Sequence, residues 1–171
     1  MKKNLVLTGM MGVGKSTIGE SLSVKLKMKF TDIDNLIEST EGTNIQKIFQ
    51  FKGEEYFRNI EKKITLKVLQ KAGHVISLGG GAFIDDEIRN IVLKKCASFW
   101  LDLDISLLIK RVSRTKKRPL LNIGDLNMAM NKIYTSRKSI YNLADYKISC
   151  NKISKPLIVE KILKIYEANR D

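Results

Sequence analysis

The sequence predicts an α/β fold, a five-stranded parallel sheet with helices on both faces. Three observations carry that reading. Five short apolar runs alternate with longer segments of helical period, and a glycine-rich turn joins the first run to the first helical segment; such alternation is the pattern of parallel βαβ units. At 171 residues the chain is about one domain long, so residues 1–171 are read as a single unit.

The elements follow in order. Asn4 to Thr8 reads as the first strand, and Lys15 to Lys27 as the helix after the glycine-rich turn. Lys29 to Asp34 is the second strand. Phe57, Ile60, Ile64 and Val68 then recur at i, i+3, i+7 and i+11, the spacing of one helix face. His74 to Leu78 is the third strand, opened by a histidine read as structural, and Asp85 is placed to cap a helix carrying Ile88, Ile91 and Val92. Ser98 to Leu103 and Tyr146 to Cys150 complete the sheet, and the last helix starts near Pro156, buries Ile158, Ile162 and Ile165, and frays at Asn169. The stretch from Arg114 to Asp125 (RTKKRPLLNIGD) has neither period, is basic, and contains Pro119 and Gly124. Its length exceeds the usual connection, which favours a mobile lid over a plain surface loop.

Apolar residues at 43% and charged residues at 29% exclude a disordered, collagen-like or disulfide-framework chain. No apolar run reaches the ~20 residues that span a bilayer, and the N-terminus shows no signal-peptide pattern. The cytoplasm is therefore the expected location, with no membrane partner. Cys96 and Cys150 lie far apart without a CxxC and with one histidine in the chain, so both thiols are expected to be structural. The net charge is +13, but the lysines run from Lys2 to Lys164 without interleaved aromatics. That is a solvated surface, not a nucleic-acid face, and no nucleic-acid partner is expected. The arginines are scarcer and more telling, because planar recognition of carboxylate or phosphate selects arginine over lysine.

Gly9-Met10-Met11-Gly12-Val13-Gly14-Lys15-Ser16 satisfies GxxxxGK[ST] between a strand and a helix, the context that marks a P-loop. Glycines let backbone N–H groups converge on phosphate oxygens, and the helix start adds positive dipole. Gly12, Val13, Gly14, Lys15, Ser16 and Thr17 are thus the expected ATP cradle, with Lys15 on the β/γ-phosphates and Ser16 a Mg²⁺ ligand. The chain is accordingly expected to have a P-loop NTPase fold.

Asp32-Ile33-Asp34 closes the second strand, where period-2 geometry puts both carboxylates on one side, at the ligand edge of such a sheet. A Mg²⁺-side role for Asp32 and a hydroxyl-orienting role for Asp34 are natural; a helix cap at Asp34 with a solvated Asp32 is the alternative. Gly79-Gly80-Gly81 follows the third strand at the same edge, either as a close approach to a ligand or as a flexible turn. Arg58 and Arg137 each sit on a helical segment, where they read equally as binding groups or as surface ion pairs.

Taken together, the P-loop, Asp32-x-Asp34, Phe49-x-x-x-Gly53-Glu54-x-x-Phe57-Arg58, Gly79 to Gly81, Arg118-Pro119-Leu120-Leu121 and Arg137-x-x-x-Tyr141 resemble the shikimate kinases in kind and order, over nearly the whole chain. The resemblance implies phosphorylation of the 3-hydroxyl of shikimate by MgATP, giving shikimate 3-phosphate and ADP on the route to chorismate and the aromatic amino acids. It implies a shikimate-binding region near residues 32–61 and a lid near 111–125. Asp34, Arg58, Gly79, Gly80, Gly81 and Arg137 would bind shikimate, the arginines pairing its carboxylate. Lys15, Asp34 and Arg118 would be catalytic, Arg118 closing onto the phosphates. Arg111, or alternatively Arg114, would pack on adenine, and the enzyme would be a monomer. The family commonly has Pro-Leu before the tyrosine where this chain has Ser139-Ile140, a difference expected to touch helix geometry and not chemistry.

Other readings fail at identifiable positions. A gluconate or nucleoside monophosphate kinase shares the P-loop but does not require the Gly53 to Arg58 run joined to Gly79 to Gly81. A GTPase switch would need NKxD, and Asn151-Lys152-Ile153-Ser154 has serine where guanine would be read.

Overall fold

The computed structural model describes residues 3–114 and 125–169. Its elements are β1 (Asn4–Thr8), α1 (Lys15–Leu26), β2 (Lys29–Asp32), α2 (Ile33–Glu41), α3 (Ile45–Leu69), β3 (His74–Ser77), α4 (Asp86–Lys95), β4 (Cys96–Asp102), α5 (Ile105–Val112), α6 (Leu126–Tyr141), β5 (Tyr146–Ser149) and α7 (Lys155–Ala168). The five strands form one parallel sheet in the order β2-β3-β1-β4-β5.

Burial explains why three runs are continuously apolar. β1 and β3 are buried at every position and β4 at all but its last, because helices cover both faces of the middle of the sheet. The edge strands are more open, β2 mostly half-buried and β5 exposed at Lys147 and Ser149, and both carry lysines, which discourages pairing with another chain. The chain turns back once, from β1 to β2, and afterwards advances to β3, β4 and β5. Right-handed crossovers therefore put α1 on one face, where it packs on α7, and α3 and α4 together on the other. The reversal leaves a crevice at the carboxyl ends of β1 and β3, the place where such sheets bind ligands.

Two features differ from the sequence reading for physical reasons. β2 stops at Asp32, whose carboxylate caps α2 by accepting from Asn35 N at 3.1 Å, so Asp34 lies in the first helical turn and not on the strand. α3 contains a kink at Gly53, where φ is 82° and ψ 171°, a conformation favourable only to glycine. α4 is capped as expected, with Asp85 Oδ1 accepting from Glu87 N and Ile88 N at 3.0 Å. The expected lid overlaps the described residues only in part: Arg111 and Val112 end α5, and Asp125 caps α6 by accepting from Asn127 N at 2.7 Å. Arg118 lies outside the described residues.

His74 is buried, bonded to Thr31 Oγ1 at 3.1 Å, and its backbone N–H donates to Asn4 Oδ1 at 2.9 Å. Burial depresses its basicity, as suits a structural histidine. Both cysteines are free and buried, and burial pushes each thiol up to about 11. A thiol reagent at pH 8 is therefore expected to leave the native protein unlabelled and to count two thiols only in denaturant; rapid native labelling of either would contradict this packing.

Candidate active site

The P-loop conformation follows from its glycines. Gly12 and Gly14 have φ of 80° and 103°, and because Gly14 at the N-cap has no side chain, α1 starts without a side-chain cap, leaving its first N–H groups available to an anion. Lys15 is almost fully buried, and its Nζ donates to the carbonyls of Gly9 at 2.8 Å and Met10 at 3.0 Å. A charged amine is thus held inside the loop by backbone dipoles. Ser16 Oγ donates to Asp32 Oδ2 at 2.5 Å, so the hydroxyl beside the lysine and the carboxylate closing β2 share one point. A cavity of about 160 Å³ opens here, lined in part by Gly14, Lys15, Ser16, Asp32 and Asp34. Arg111 reaches the same loop from α5, its Nη1 lying 3.3 Å from the carbonyls of Gly12 and Val13. Arg114 lies in the turn after α5 and is exposed.

The second half of the site is built on the glycines after β3. Arg137 Nη1 donates to the Gly80 carbonyl at 2.9 Å. Arg58 comes from α3 past the Gly53 kink and pairs with Glu61 at 2.7 Å and with Glu54 at 3.2 Å. A cavity of about 290 Å³ has Arg58, Arg137, Glu61 and Gly81 in its wall. A planar anion there would meet two guanidinium forks.

Gly79 and Gly81 are required by close approach. A Cβ on Gly79 would collide with Glu61 Oε1 and lie 2.8 Å from Asp34 Oδ1, and one on Gly81 would fall 2.8 Å from Arg58 Cζ. Gly79→Ala is therefore expected to fold yet to lower turnover about 10²-fold, the scale for a misplacement near 1 Å. Steady-state kinetics with nucleotide binding as control checks it, and an unimpaired variant would show that Glu61 and Asp34 can move aside.

Glu61 was not identified from sequence. It is 3% exposed, and burial raises its carboxyl above the ordinary value, with Arg58 opposing and Asp34 reinforcing the shift. The signal was present, since position 61 continues the buried stripe of Phe57 and Val68 and a charge on an apolar stripe calls for a partner within a turn. The Tyr141 hydroxyl, on the Gly80 carbonyl, is the other group the sequence left without a role.

Comparison with known proteins agrees with this geometry. The family model described as shikimate kinase matches residues 11–167. A shikimate kinase of Sulfurihydrogenibium sp. is 40% identical over 94% of this chain and 96% of its own. One from Bradyrhizobium diazoefficiens is 36% identical over 98% of this chain and 81% of its own. The solved structure of shikimate kinase from Acinetobacter baumannii in complex with shikimate superposes with a TM-score of 0.93 at 30% identity, covering 98% of this chain and 94% of that one. With a family match across nearly the whole chain and a P-loop, an acidic pair and an arginine pair gathered at one sheet edge, the chain belongs to the shikimate kinase family.

Proposed function

We propose that this protein is a shikimate kinase, transferring the γ-phosphoryl group of ATP to the 3-hydroxyl of shikimate. The observation that carries the reading is the meeting of Arg58 and Arg137 around one cavity beside the P-loop. A carboxylate substrate held by two arginines presents its hydroxyls toward Asp34 and, beyond it, toward the cradle of Gly12 to Thr17.

Each residue then has a task. Backbone N–H groups of the loop and Lys15 hold the phosphates, and Lys15 exchanges its carbonyl partners for charge developing on the transferred group. Asp34 orients the attacking hydroxyl and accepts its proton late, since phosphoryl transfer asks for positioning more than for a strong base. Arg58, Arg137 and Gly79 to Gly81 bind shikimate, Arg111, or alternatively Arg114, packs on adenine, and Arg118 takes the lid role that the family resemblance implies. Ser16 and Asp32 fit a Mg²⁺ site: their oxygens are the hard donors this ion takes, and it is usually held by one or two protein groups plus phosphates. This suits a chain in which no cluster of three or more His, Cys, Asp or Glu occurs among the described residues. Bound there, the ion supplies charge neutralisation to the phosphates.

Substrate and product are small and anionic, and the reading is of a monomer in the cytoplasm with no nucleic-acid partner. No helix among the described residues is long and apolar enough to cross a membrane. The test is ADP release from MgATP with shikimate, with gluconate, with a nucleoside monophosphate and with no acceptor. Release with shikimate alone is expected. Release independent of acceptor would overturn the assignment and leave the arginine pair without a purpose.

A further inference from the structure

Tyr141 ends α6, one turn beyond Arg137, and its side chain is fully buried. Its hydroxyl donates to the Gly80 carbonyl, the oxygen that also accepts Arg137 Nη1 at 2.9 Å, and lies 4.0 Å from Met10 Sδ of the P-loop. The phosphoryl transfer outlined above gives this hydroxyl no task. It also has the Arg137 side chain as a hydrogen-bonding neighbour, and its carbonyl partner belongs to a triple glycine, a segment with no side chains of its own to hold it in place.

We propose that Tyr141 is a positioning residue for the phosphoryl acceptor. It fixes the Gly80 carbonyl, and through it both the seat of Arg137 and the facing of the Gly80–Gly81 peptide. A planar trans peptide points the Gly81 N–H opposite to the Gly80 carbonyl. An oxygen pinned from the α6 side therefore aims that N–H away from α6. Without the hydroxyl, Arg137 has a mobile acceptor, and a guanidinium that must meet a carboxylate in a set plane loses its fixed seat. Burial raises the phenol above its ordinary range, so it stays a donor throughout the working pH range.

The inference rests on the assignment of Arg58 and Arg137 to the acceptor, and Tyr141→Phe tests it separately. Tyr166→Phe is the matched control. Its hydroxyl is likewise buried, donates to the Lys3 carbonyl and lies 3.8 Å from Met28 Sδ, but at the far end of the molecule. Wild-type turnover with shikimate is measured first; its absence would overturn the acceptor assignment and this inference with it. Given that turnover, Tyr141→Phe is expected to raise KM for shikimate about tenfold, the scale of one lost hydrogen bond, while KM for MgATP stays within twofold. Trp100 is the single tryptophan and its ring lies 6.2 Å from that of Tyr141. Its fluorescence, titrated with shikimate in the absence of nucleotide, should show the same rise in Kd. Tyr166→Phe should change neither constant. A rise in shikimate KM below threefold would overturn the proposal. So would parallel losses for both substrates, or loss of the folded transition that Tyr166→Phe retains.

Discussion

Lys15→Ala should reduce kcat by about 10³-fold or more, the scale for removing a preorganised charge from a phosphoryl transition state. In the structure the amine is almost wholly withdrawn from solvent and rests on the Gly9 and Met10 carbonyls. These are weak partners for a full charge, and an incoming phosphate offers a stronger one. The loop itself is shaped by its glycines, so the variant should keep its fold. Alanine leaves the two carbonyls without the ammonium donor, which should cost about 1–2 kcal/mol and appear as a small fall in Tm. The measurement is turnover at saturating ATP beside a thermal melt. Activity within tenfold of wild type would remove Lys15 from the transition-state assignment.

Arg58→Ala should weaken shikimate binding at least about 10²-fold with little effect on ATP, since an arginine–carboxylate fork is lost on one side of the crevice only. It should also destabilise the protein, because Glu61 keeps its burial and loses its principal cation. Breaking a fully buried pair costs about 3–5 kcal/mol; with the Arg58 side chain 29% exposed, about 2 kcal/mol is the better expectation. The sign of the pH dependence separates this from a simple packing defect. In the variant, Glu61 is raised further above its ordinary value of 4.5, so the folded state binds a proton that the unfolded state does not. Stability must then fall as pH rises from about 4.5 through the folded-state value, and acidification should recover part of the loss. Equal losses for shikimate and ATP, or a variant whose deficit is the same at pH 5 and pH 8, would refute the two roles respectively.

Much of this was legible in the residues because the strongest signals are local. The P-loop needs glycines and a lysine at fixed offsets, and the central strands need unbroken apolar runs because both of their faces are covered. Asp85 could be read as a cap because its capping depends on four consecutive residues, Asp85 to Ile88. What failed depended on events beyond the strand's own period. Asp32 ends β2 by capping the next helix, so Asp34 is turned through a helical step instead of a strand step. Glu61 escaped notice because the ion pair open to Arg58 was placed at the surface, whereas one guanidinium can serve both a buried glutamate and a substrate. Tyr141 was visible as part of a motif, but its bond crosses from the end of α6 to the turn after β3, a meeting that no periodicity encodes.

The strand order has a bearing on how the protein is made. β1 is the first strand to be synthesised and sits at the centre of the sheet, between β3 and β4. Asn4 completes its hydrogen bond to the backbone of His74, 70 residues later, and Leu5 is in register with both Val75 and Ala97. The P-loop adjoining β1 therefore cannot take its final form until more than half of the chain has emerged. Until β3 emerges an apolar strand must wait with both edges unpaired, and until β4 follows with one, the condition in which nascent chains aggregate or engage chaperones. The element that binds nucleotide thus precedes its sheet partners in the chain and is completed only after them, and nucleotide cannot template the early steps of folding.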